Sequence, residues 1–173
     1  MSRRGLETGL SAGLLVAALG GIAWATGEPF VFPSLGPTAF VLAFRRRSGR
    51  ARSTRIVVGH AVGAVVGFAA YALVASGATL DPSLSAASTD TLRLVASAAL
   101  SVAATSWGMV ELDAVHPPAC ATTLIVSLGL LSTPRSVATI VASVVVLVGV
   151  HRAADAMLSG GYGDARTDAG ARR

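Results

Sequence analysis

The sequence predicts an all-α, polytopic membrane helical bundle, and three observations carry that prediction. The chain of 173 residues is 53% hydrophobic and only 13% charged, with mean hydropathy +0.66, against about 25% charged in an ordinary soluble domain. Long uncharged stretches fill most of its length. The net charge of +5 comes from arginine alone, since no lysine occurs, and the arginines cluster between apolar runs as they do in cytoplasmic membrane loops. That placement argues against a nucleic-acid groove. A single cysteine excludes a disulfide framework and any metal centre built on cysteines. Neither a metal nor another cofactor is expected.

The elements follow in order. Six membrane segments are expected, at about 6–27, 30–44, 56–78, 92–110, 115–133 and 135–155, within a transmembrane domain over 1–158. About 20 apolar residues cross the hydrocarbon core as a helix, which the first and third stretches supply. The first is also longer than the apolar core of a cleaved signal peptide. Segments 30–44 and 115–133 hold Pro33 and Pro37, and Pro117 and Pro118. A proline inside a helix removes a hydrogen bond and clashes with the preceding turn, so neither can be a continuous helix. Trp24 and Trp107 fall near segment ends, as aromatic belt residues do. Residues 159–173 are rich in Gly, Ala, Asp and Arg without an apolar period, and are expected to form a disordered polar tail.

Arginine sets the orientation. Arg3 and Arg4, the run Arg45, Arg46, Arg47, Arg50, Arg52 and Arg55, and the C-terminal group from Arg152 are all cytoplasmic under the positive-inside rule. This requires 30–44 to cross as a broken helix, placing both termini in the cytoplasm of a cell-membrane protein. Four full helices with two re-entrant hairpins is the competing topology. Each half then reads helix, proline motif, short helix, arginine, helix. Three crossings per half make these two pseudo-repeats inverted, each with a proline-broken half-helix. Such breaks at matching positions point to a transporter site.

The first motif is Ser34, Leu35, Gly36, Pro37 and Thr38. Gly36 allows positive φ or close approach, while Ser34 and Thr38 suit the cap of the helix that follows. The second is His116, Pro117, Pro118, Ala119, Cys120, Ala121, Thr122 and Thr123. Helices starting after Pro37 and Pro118 would present unpaired N–H groups and partial positive charge, a ready anion site. His116 could donate to the anion or take a proton, and Thr122 and Thr123 could add hydroxyls. His60 lies inside its segment, where an ionisable group is costly and a functional candidate. Gly59, Gly63 and Gly67 recur every four residues, a small-residue seam for close packing between the halves or between protomers. Glu111 and Asp113 are placed to pair with the arginines of the 45–55 loop or to take part in proton coupling.

His116-Pro117-Pro118 followed by Ala119 and a Thr-rich apolar run resembles the signature of the HPP family of integral membrane proteins. The Pro-Ser-Leu-Gly-Pro-Thr-Ala run at 33–39 and Gly59-His60 resemble further patterns of that family, and the likeness covers about 6–150. Two departures stand out. Ser53-Thr54-Arg55 replaces a common Pro-Arg-Asn element, and Cys120 takes the place of a frequent glycine. The resemblance implies a small membrane protein, with nitrite transport implicated for plastid members.

The expected function is therefore membrane transport of a small inorganic anion, nitrite being the family-based choice. The site would be formed by Ser34, Gly36, Pro37, Thr38, His60, His116, Pro117, Pro118, Ala119, Thr122 and Thr123. An enzyme is not expected: no paired-carboxylate, H-E-x-x-H, G-x-S-x-G or phosphate-loop pattern is present. The alternative is a non-transporting subunit or scaffold that binds another membrane protein through the glycine seam. Expected partners are the lipid bilayer, the anion and, on the general habit of symmetric assembly, a second copy of the chain.

Overall fold

The computed structural model describes the backbone of residues 2–44 and 50–170 and the side chains of 2–44 and 52–157. Arg45, Arg46 and Arg47 lie outside it. The described residues are helical, without strands: α1 (Arg3–Thr26), α2 (Leu35–Phe44), α3 (Arg50–Ala70, continued by a π-helical turn Tyr71–Ala75), α4 (Thr89–Glu111), α5 (Ala119–Ser127) and α6 (Pro134–Gly170). Four stretches are long and apolar enough to cross a membrane: Arg3–Thr26, Arg52–Ala75, Thr89–Glu111 and Pro134–Met157.

The remaining two segments differ from full helices. α2 has 10 residues and α5 has 9, so at 1.5 Å per residue each spans about half of a hydrocarbon core roughly 30 Å thick. Irregular backbone at 28–34 and 112–118 precedes each of them. Such backbone is tolerated at membrane depth only where protein covers it. Phe32, Ser34, Ala114 and His116 are accordingly buried.

Side-chain contacts fix which ends meet. The Arg4 guanidinium sits 4.6 Å from the centroid of the Phe44 ring, bringing the end of α2 to the start of α1. Arg55 pairs with Asp113, joining the start of α3 to the end of α4 at that same arginine end. At the far end Arg135 pairs with Glu28 at 2.6 Å, and the Leu80 N–H donates to the Leu128 carbonyl. Arg93 donates to the carbonyls of Val74 and Ser76, satisfying oxygens that the end of the third pass leaves open. Among the described residues the helices follow in the order long, short, long, long, short, long.

Local chemistry explains the element ends. Ser2 and Ser88 cap α1 and α4 by accepting from the N–H groups of Gly5 and Thr91. Gly27 stops α1 at φ 71°, a left-handed conformation that glycine adopts without steric cost. α2 begins at Leu35, two residues before Pro37, because a proline in the first turn needs no N–H there. Gly36 has open space around it and is not among the positive-φ residues, so the special backbone role expected for it is not used. α6 continues to Gly170, past residue 159 where composition expected a disordered tail.

α3 is the hub. A Cβ built on Gly59, Gly63 or Gly67 would lie 2.9, 2.6 or 2.7 Å from the carbonyl oxygens of Ala114, Ala119 and Thr123 respectively. The seam is therefore filled by α5 and its lead-in, which settles it as a packing surface inside one chain. Opposite, Leu19, Leu35, Leu42, Ile56, Ile140, Val144 and Leu147 form the apolar core shared by α1, α2, α3 and α6. Outward-facing side chains are large and apolar too. Leu6, Leu10 and Leu14 line one stripe of α1, and Trp24 and Trp107 are 90% and 69% exposed. Without water to avoid, lipid-facing positions stay hydrophobic.

Candidate functional site

The polar centre is assembled from the two short helices and α3. Thr38 stands on the first turn of α2, His60 follows Gly59 on α3, His116 precedes the two prolines, and Thr122 lies one turn into α5. The Gly59 seam is what lets His116 approach: a Cβ at Gly59 would sit 3.1 Å from that of His116. Thr38 Oγ1 is 2.9 Å from His60 Nε2, 3.1 Å from His116 Nε2 and 3.1 Å from the Ser34 carbonyl. His60 Nδ1 lies 2.7 Å from Thr122 Oγ1. The imidazole centroids are 5.0 Å apart at an interplanar angle of 56°.

A hydroxyl carries one hydrogen and two lone pairs. One arrangement satisfies every contact with both rings neutral: Thr38 donates to the Ser34 carbonyl and accepts an Nε2–H from each histidine, and Thr122 donates to His60 Nδ1. All four side chains are buried, at 0% exposure for Thr38, His60 and Thr122 and 4% for His116. Both imidazoles are therefore held away from solvent inside the bundle.

The other predicted residues divide. Thr123 is buried but turns to α4, accepting from Thr105 at 3.0 Å. Ser34 is buried with its Oγ unpartnered, so it does not cap α2. Pro117 is exposed and Pro118 half-buried, while Ala119 is covered by Gly63. Four of the amides at the two helix starts are engaged. Leu35 N–H donates to the Phe32 carbonyl, and Ala119, Cys120 and Ala121 donate to the carbonyls of His116, Pro117 and Pro118. Tight i→i+3 turns satisfy the groups that an uncapped helix start would leave free. The contacts seen at this centre are made by imidazoles and hydroxyls.

A feature the sequence reasoning passed over lies on α4. Ser97, Ser101 and Thr105 recur every four residues, are fully buried and face α5; Ser97 donates to the Ser127 carbonyl at 3.0 Å. The spacing was visible in the sequence. Without neighbours in view, though, it resembled the small residues common to any membrane helix.

A helical bundle with lipid-facing apolar walls and a buried imidazole–hydroxyl centre defines a polytopic membrane protein. The chain belongs to the HPP family: the family model described as HPP, transmembrane region, matches residues 3–159. No curated protein and no solved structure matches the chain.

Proposed function

We propose that this chain passes a small inorganic anion, nitrite in the first instance, across the bilayer through the centre formed by Thr38, His60, His116 and Thr122. The observation that carries this reading is the pair of ionisable rings held with virtually no exposure inside an apolar bundle. Ionisable groups at membrane depth are costly and concentrate on transport pathways. In its passage the anion displaces Thr38 from between the rings and takes the two Nε2–H donors, with the hydroxyls of Thr38 and Thr122 replacing lost water. Hydrogen bonds to an ionised acceptor are roughly twice as strong as neutral ones, which favours the exchange. The repeated long–short–long order supports two halves of opposite orientation, and the arginine-rich end is assigned to the cytoplasm by the positive-inside rule.

The scaffold alternative relied on a glycine seam available to a partner, and α5 covers that seam within the same chain. Proteoliposomes containing the purified protein should take up nitrite faster than protein-free vesicles prepared alongside. Equal rates would reject the transport reading.

A further inference from the structure

The polar centre has an approach from the arginine end. A cavity of about 300 Å³ is lined there by Arg52, Arg55, Val115 and His116. Arg52 and Arg55 lie three residues apart on α3, so they share a helix face, and Gly59 continues that face to the point where α3 meets Ala114 and His116. Asp113 pairs with Arg55 and holds that guanidinium at the rim. The cavity wall itself contains two guanidiniums, one imidazole and no carboxylate among the described residues. Beyond His116 the groups are Thr38, His60 and Thr122, whose contacts one arrangement satisfies with both rings neutral.

We infer that Arg52 and Arg55 form a capture site that concentrates monovalent anions at the arginine end and delivers them to His116. This rests on the anion reading above and adds to it a mouth, two residues and a charge class. The physical basis is the contrast between the two stages. A cleft lined by one sign of charge with low-dielectric walls raises the local concentration of counter-ions. The interior offers only neutral donors, which can replace the hydration of one negative charge but leave a second uncompensated, at a large desolvation cost. Cations are rejected at the mouth and divalent oxyanions at His116, so singly charged anions pass both stages.

The test reads charge at the mouth without relying on transport. Val115 lines the cavity and is 57% exposed, so V115C in a C120S background of the full chain places one thiol there. Its modification is timed with an anionic (sulfonatoethyl) and a cationic (trimethylammonioethyl) methanethiosulfonate. The anionic-to-cationic rate ratio should exceed that of a free small thiol by about tenfold, the lower range of electrostatic focusing, and should fall towards the free value in R52Q and R55Q. R52K should keep it, because charge rather than shape sets the ratio. Raising ionic strength from about 0.05 to about 0.5 M should collapse it, since the Debye length shrinks below the cavity dimensions. A ratio equal to that of the free thiol, or one unchanged when both arginines are neutralised, would overturn the capture site. A strong ratio in a protein whose vesicles pass no nitrite would keep the capture site and reject the transport reading. Nitrite uptake with no charge preference at position 115 would do the reverse.

Discussion

Gly63→Val will disrupt the fold more than any other single change to the seam. A Cβ at this position meets the Ala119 carbonyl oxygen at 2.6 Å, a contact with backbone rather than with a side chain able to swing aside. Overpacking a tight interface typically costs about 1–3 kcal/mol, and with backbone as the obstacle the upper end applies. For a chain of this length about 3 kcal/mol lowers a thermal midpoint by roughly 6–12 °C. The check is thermal unfolding in detergent, alongside the monodisperse fraction on size exclusion. Gly36→Ala is the internal control, because nothing lies within 4 Å of a Cβ there and alanine is the better helix former. Equal losses in the two variants would mean that α3 and α5 do not approach as closely as the seam requires.

Thr38→Val is expected to act on both stability and transport. Valine nearly matches threonine in shape, so the packing of α2 survives while the shared hydroxyl disappears. Both Nε2 atoms then face a methyl group. Leaving a buried polar group without a partner costs about 1–3 kcal/mol, which predicts a loss of roughly 2 kcal/mol or more in unfolding measurements. Nitrite uptake should fall as well, since the hydroxyl is one of the groups that replace water around the anion. Thr38→Ser restores the hydroxyl and should recover most of both losses. A Val variant as stable and as active as the original chain would show that Thr38 is ordinary packing.

Much of this architecture was legible in the residues themselves. Hydropathy located the four long spans, because a membrane helix must be apolar over its whole length. Pro33, Pro37, Pro117 and Pro118 located the two interrupted segments, because proline cannot continue a hydrogen-bonded ladder. The four-residue spacing of Gly59, Gly63 and Gly67 announced close packing, though not its partner, which is a relation between distant parts of the chain. Burial of His60 followed from its depth within an apolar stretch.

The remaining features depend on three-dimensional proximity. Whether a helix start keeps its amides free depends on turn geometry, and the turns at 116–121 satisfy them in a way that composition does not disclose. That Thr38 lies between the two histidines requires residues 38, 60 and 116 to converge, and no local pattern encodes such a meeting. The proposed role of Arg52 depends on its place in the cavity beside His116; in the sequence it is one arginine among several.

The central claim is that the buried imidazoles carry the anion. Nitrite uptake by vesicles containing His116→Ala tests it most directly, with thermal unfolding used to match folded protein between samples. Losing a hydrogen-bond donor to a charged group costs about 1.5–3 kcal/mol, so uptake at limiting nitrite should drop by roughly ten- to a hundredfold at equal folded protein. Uptake by the folded variant at the rate of the unaltered chain would contradict the account.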